Sequence, residues 1–181
     1  MEESTPTITP MVTTRSAGIR YGLMLAVISI AYFLILNMLG VDVSQGPGSW
    51  ARLLYCAALI FLAQKYFKDN GSGFMSFGEG FAISFWMSLV SSVISSVFTY
   101  IYVSFIDTGF VKQMLDRTRE AMEDKGNLTD DQIDQAMTMT AKFMTPGMMF
   151  IFGLIFGVII ICVVGLVVTI FTQKKNPEPF A

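Results

Sequence analysis

Apolar residues gather in four long blocks along the chain, with polar residues concentrated between them. The blocks fall at about 17–39, 50–67, 77–106 and 147–172. At about 1.5 Å of rise per residue, roughly 20 apolar residues in a helix cross a hydrocarbon core about 30 Å thick. Each block is predicted to be a transmembrane helix, the second being the shortest. The first block exceeds the roughly 7–15-residue apolar core of a secretory signal peptide. Gly46-Pro47-Gly48 breaks the chain before the second block, and Asn70-Gly71-Ser72-Gly73 before the third. Trp50, Tyr55 and Tyr66 lie toward the ends of the second block. Tyr100, Tyr102 and Phe105 lie near the end of the third, where amphipathic rings favour the headgroup level. Thr145 followed by Pro146 predicts a helix start: a hydroxyl cap, then a proline at the first helical position.

Residues 107–145 form the one sizeable polar segment, and their apolar positions recur at helical spacing. Val111, Met114, Leu115, Thr118, Ala121 and Met122 make one face, and Gly126 then breaks the pattern. Thr129-Asp130-Asp131-Gln132 is a capping-box pattern, and Ile133, Ala136, Met137, Thr140, Phe143 and Met144 make a second face. The segment is predicted to be a helical hairpin outside the bilayer. Its five methionines make an adaptable docking surface the alternative to a plain solvated face. Residues 1–13 and 176–181 read as tails.

Composition agrees with a lipid-solvated chain. Of 181 residues, 53% are hydrophobic and 14% charged, against about 25% charged in an ordinary soluble domain. A net charge of -2 gives no electrostatic support for a nucleic-acid partner. Histidine is absent and the two cysteines, Cys56 and Cys162, sit in separate apolar blocks. Zinc, haem and copper therefore lack candidate ligands, no cofactor is expected, and the thiols are expected to be reduced.

Basic residues near span ends favour the cytoplasmic side. Arg15 and Arg20, Lys65 and Lys68, and Lys174 and Lys175 flank three segments that an even number of spans places on one side. The hairpin carries five basic residues against eight acidic ones. Both termini are expected in the cytoplasm and the hairpin outside.

Candidate chemistry is sparse. Glu79, at the edge of the third block, is either an intramembrane proton or cation site or, with Ser76, a helix cap. Ser84, Ser88, Ser91, Ser92, Ser95, Ser96 and Thr99 make a small, weakly polar stripe on the third helix. Such a stripe lets helices approach closely; its competitor is a hydrated path. Gly153 and Gly157 form a G-x-x-x-G pair, and Gly18, Gly22 and Ala26 a similar face, serving packing within the bundle or in a dimer. Asn37 and Gln64 are expected to bond a neighbouring helix. No nucleophile–base pair or phosphate loop emerges from spacing.

Tyr21-Gly22, Phe77-Gly78-Glu79-Gly80-Phe81, Tyr100-Ile101-Tyr102 leading to Ile106-Asp107, and Gly126 with Thr129-Asp130-Asp131-Gln132-Ile133 before Thr145-Pro146 occur in a familiar order. Over residues 14–175 the chain resembles domain of unknown function 4199, an uncharacterised bacterial membrane family common in Bacteroidota. Thr108 stands where the family pattern leads one to expect proline. The resemblance implies a four-span inner-membrane protein and supplies no activity or site residue.

The expected fold is an all-α integral membrane bundle over 14–175, four transmembrane helices with an extramembrane helical hairpin between the third and fourth. The expected role is non-enzymatic: a structural or interaction protein of the bacterial inner membrane, with lipids, a second copy or another membrane protein as partners. The alternative is a small oligomeric channel or transporter lined by Glu79 and the serines. A lipid-directed enzyme is the weakest reading.

Overall fold

The computed structural model describes residues 12–40 and 47–174, with the side chains of Pro47 and Ser49 left aside. Most of both expected tails, and Gly46, lie outside that range. Among the described residues six α-helices follow in order: α1 Thr14–Met38, α2 Pro47–Asp69, α3 Phe77–Ile101, α4 Phe110–Asp124, α5 Asp130–Phe143 and α6 Pro146–Thr172. A π-helical turn, Tyr102–Ile106, prolongs α3. No strand forms among the described residues, which hold a single isolated antiparallel bridge, Met75 with Lys174.

Among the described residues three stretches are long and apolar enough to cross a membrane: α1, the run Phe77–Ile106, and α6. The 23 residues of α2 have the length, but Arg52, Gln64 and Lys65 dilute its apolar character.

Local chemistry accounts for the helix ends. Thr13, expected in the tail, is the N-cap of α1. Ser16 N–H donates to Thr13 Oγ1 at 3.1 Å, and Thr13 N–H to Ser16 Oγ at 3.2 Å, so two otherwise orphaned donors are satisfied. Past its other end, Gly40 takes φ 68°, a left-handed conformation that costs glycine little. Pro47, expected within a break, is the first residue of α2, because a helix's first N–H needs no partner. Thr145 caps α6, accepting from Met148 N–H at 3.4 Å. Asp107 ends the long third helix without a proline: its N–H bonds Tyr102 O at 2.8 Å, five residues back, and closes the π turn.

The described residues divide into two compact units, those up to residue 91 together with 159–174, and residues 92–158. Segments of α3 and α6 belong to each. In the first, α1, α2 and these segments surround an apolar core of Ala17, Leu25, Cys56, Ile60, Phe67, Met75, Ile83, Met87 and Ile161. Helix α1 closes on α3 through Gly18 and Gly22: a Cβ at Gly18 would lie 2.5 Å from Trp86 Cβ, and one at Gly22 3.0 Å from Met87 O. Tyr21 meets Tyr66, and Tyr32 meets Tyr55, between α1 and α2.

In the second unit α4 and α5 are joined by a turn with Gly126 at φ 62°. Arg119 of α4 bonds Asp134 of α5 at 2.7 Å and Glu123 at 2.9 Å. Thr129 N–H donates to Gln132 Oε1 at 3.0 Å, so the predicted capping box forms at the start of α5. Tyr102, expected in an aromatic belt at the headgroup level, is buried. It stacks on Phe98 and meets Phe110 edge-on.

Candidate functional site

The first unit holds a buried polar centre built on Gln64. Its side chain is fully buried, and a buried polar group is costly unless it is hydrogen-bonded. Gln64 Nε2 donates to Thr169 Oγ1 at 2.7 Å and to Gly80 O at 3.2 Å. Ser84 Oγ stands 3.4 Å away, and Thr172 Oγ1 donates to Gln64 Oε1. One amide thus ties α2 to both α3 and α6. Gly80 makes this approach feasible, because a Cβ there would sit 2.5 Å from the Thr169 methyl.

Around that centre the ends of four elements meet. Met75 and Lys174 exchange two backbone hydrogen bonds of 2.9 Å, and Lys68 Nζ donates to Thr172 O at 2.8 Å. The last carbonyls of α6 so gain a cationic partner at the negative end of the helix dipole. Arg20 lies 4.8 Å over the Tyr66 ring and donates to its hydroxyl at 3.0 Å. Arg15 lies 5.0 Å over Trp86, and Lys174 5.3 Å over Phe74.

Glu79 is exposed and points back on its own helix start. Its Oε2 accepts from Ser76 N–H at 2.7 Å and Ser76 Oγ at 2.9 Å, while Glu79 N–H donates to Ser76 Oγ at 3.2 Å. These are the reciprocal bonds of a capping box at the positive end of the α3 dipole.

Four of the serines meet α6, Ser84 and Ser88 within the first unit and Ser92 and Ser96 within the second. In the first, Ser84 Oγ donates to Gly80 O at 3.0 Å and Ser88 Oγ to Phe85 O at 2.7 Å. Ser88 Oγ also meets Cys162 Sγ at 3.4 Å, and a Cβ at Gly165 would lie 2.3 Å from Ser84 Cβ. In the second, a Cβ at Gly157 would lie 2.6 Å from Ser92 Oγ, and one at Gly153 3.1 Å from Ser96 Oγ. Ser92 Oγ is buried without a hydrogen-bond partner. Ser95 is half-buried. The G-x-x-x-G pair and the Gly18/Gly22 face are therefore engaged by α3 of the same chain.

Chemically, this arrangement holds helices together. Cys56 and Cys162 are free thiols. Among the described residues no three acidic or thiol side chains converge as metal ligands would. Glu79 is remote in role from the serines, since its carboxylate is engaged by Ser76. Sequence reasoning placed Gln64 against a neighbouring helix but missed Thr169 and Thr172. Their signal was two hydroxyls three residues apart near the end of an otherwise apolar block.

Outside the spans, the Arg119 guanidinium has a displaced pKa. Hydrogen bonding to Glu123, then to Asp134, holds it above the ordinary guanidinium value.

Comparison with known proteins places one family on the chain: the model described as Protein of unknown function (DUF4199) matches residues 20–174. No curated protein and no solved structure matches.

Proposed function

Because the chain belongs to the family described as Protein of unknown function (DUF4199), whose description assigns no activity, we propose from its geometry that it is a non-enzymatic scaffold of the bacterial inner membrane. In this reading four helices cross the bilayer, and α4 with α5 presents an interaction surface to the periplasm. The observation that carries it is the destination of the buried polar groups. Gln64, Thr169, Thr172, Ser84 and Ser88 spend their hydrogen bonds on neighbouring helices or their own backbone, which supports structural work over binding or proton transfer.

Helix α2 serves as the fourth span. Its 23 residues extend about 34 Å at 1.5 Å each. Gln64 is satisfied by α3 and α6, and Arg52 and Lys65 are near enough to the helix ends to reach the headgroups with their long stems. With α3 crossing once, the chain emerges on the other side before α4. The basic residues flanking α1, α2 and α6 favour the cytoplasm for the side left behind.

The small-residue faces are engaged within the chain, so assembly uses other surfaces. Leu128, Met139 and Phe143 are exposed large apolar side chains on or beside α4 and α5, and they suit contact with a second copy or another envelope protein. A photo-crosslinking residue at Met139 in native membranes tests this. A discrete heavier product is expected; a chain that stays monomeric at every exposed α5 position overturns the scaffold reading. Reporter fusions at Gly126 and at the C-terminus test the orientation, and a cytoplasmic signal from Gly126 reverses it.

A further inference from the structure

The cationic rim of the first unit is built, and its construction goes beyond a charge bias. The start of α1, the end of α2, the start of α3 and the end of α6 converge there, as the Arg20–Tyr66, Gln64–Gly80 and Met75–Lys174 contacts require. Five cations stand at that rim: Arg15, Arg20, Lys65, Lys68 and Lys174. The acidic residues beside them are Asp69 and Glu79, and Glu79 is occupied by Ser76.

Four of the five cations are positioned by the fold. Arg15, Arg20 and Lys174 each rest over an aromatic ring, and Lys68 is held by Thr172 O. An aromatic face fixes the cation without neutralising it, so donors remain for an oxygen anion. Arg15, Arg20, Lys65 and Lys174 are all exposed. Trp86 and Tyr66 are amphipathic rings of the kind that settle at the level of lipid headgroups.

We infer that this rim binds anionic phospholipid headgroups, with the guanidiniums of Arg15 and Arg20 and the ammoniums of Lys65 and Lys174 meeting a phosphodiester whose charge no headgroup cation offsets. The inference rests on the membrane reading above and deepens it by naming a lipid class and the residues that select it. Each basic residue near an anionic lipid surface contributes roughly a fivefold gain in binding. Four of them distinguish an anionic from a zwitterionic headgroup by at least about tenfold even when salt screens part of the field.

The test is native mass spectrometry of the full chain in mild detergent, with equimolar phosphatidylglycerol and phosphatidylcholine of the same acyl chains. Wild type is expected to retain phosphatidylglycerol at least about tenfold more often, and Arg15→Gln/Arg20→Gln/Lys174→Gln to fall near parity. Lys65→Gln/Lys174→Gln, at two exposed positions, provides a milder variant whose intermediate loss is expected should the triple one unfold. Lys112→Gln/Arg117→Gln on α4 is expected to keep the wild-type preference. Parity in wild type, an unchanged preference in the rim variants, or release of the lipid by an equal concentration of inorganic phosphate each overturns the inference. Sidedness has no meaning in detergent, so this outcome is independent of the Gly126 fusion that tests orientation.

Discussion

Replacing Gln64 with leucine separates hydrogen bonding from packing at the polar centre. The side chains are close in volume, so Gln64→Leu removes the amide and keeps most of the contact. Each partner retains a local bond: Thr169 Oγ1 to Gly165 O at 2.6 Å, Thr172 Oγ1 to Val168 O at 3.0 Å, and Ser84 Oγ to Gly80 O at 3.0 Å. No buried group is orphaned, which removes the larger penalty that usually follows loss of a polar partner. What disappears is three interhelical bonds and the longer contact to Ser84, at about 0.6 kcal/mol each in membranes, and the expected cost is about 2 kcal/mol. Gln64→Ala loses the same bonds and also leaves a cavity, and so costs roughly 2–4 kcal/mol more. Unfolding by dodecyl sulfate in mixed micelles, followed by far-ultraviolet circular dichroism, measures both. If leucine costs as much as alanine, or costs nothing, the proposed division between bonds and packing is wrong.

Alanine at the helix-contact glycines should rank by what the new methyl meets. Gly18→Ala drives a Cβ to 2.5 Å from Trp86 Cβ and 2.9 Å from Ile83 O, and should cost about 1–3 kcal/mol in the same assay; Gly153→Ala, opposed by the Ser96 hydroxyl at 3.1 Å, should cost under about 1 kcal/mol. Gly157→Ala should be partly rescued by Ser92→Ala, which removes the Oγ at 2.6 Å and leaves Cβ at 3.2 Å; a rescued variant no more stable than the single one contradicts the contact. Glu79→Ala should lose about 0.5–2 kcal/mol as a cap while Glu79→Gln stays near wild type, and proteoliposomes should show no cation flux that Glu79→Gln abolishes. Arg119 should contribute no pH dependence below its ordinary pKa: a raised folded-state value means that its contribution is complete there and fades only as pH climbs through the elevated one. Arg119→Gln should therefore speed amide exchange at the facing turns of α4 and α5 equally at pH 6 and pH 9, once intrinsic exchange is corrected, and a difference between the two would refute that.

The long apolar elements were legible because lipid leaves one way to satisfy a backbone over 25 or 27 residues. Caps at Ser76, Thr129 and Thr145 were legible because capping is decided by residues three apart. The cap at Thr13 was lost because Ser16 performs the role usually given to glutamate or glutamine. The π turn left no trace, since Tyr102–Ile106 carries neither proline nor glycine and depends on how Tyr102 packs against Phe98 and Phe110. Which partner a glycine face meets is a tertiary fact: Gly18 and Gly22 would read the same whether α3 or a second copy covered them. The Gln64 centre was half legible. A glutamine among apolar neighbours announces a bond, but Thr169 lies 105 residues away, and no local pattern names it.

That separation has a consequence for synthesis. At roughly 5–20 residues per second, translation reaches Thr169 some 5–20 s after Gln64 has been made. For that interval the nascent chain holds a glutamine whose eventual hydroxyl partners do not yet exist, and Met75 awaits the backbone of Lys174. Should the second helix span the bilayer as proposed, its glutamine would lack these partners there until the last helix arrives, a deficit of about 2 kcal/mol. A chain truncated before residue 169 should therefore be less stable than the full one and turned over faster, even with its earlier apolar helices complete.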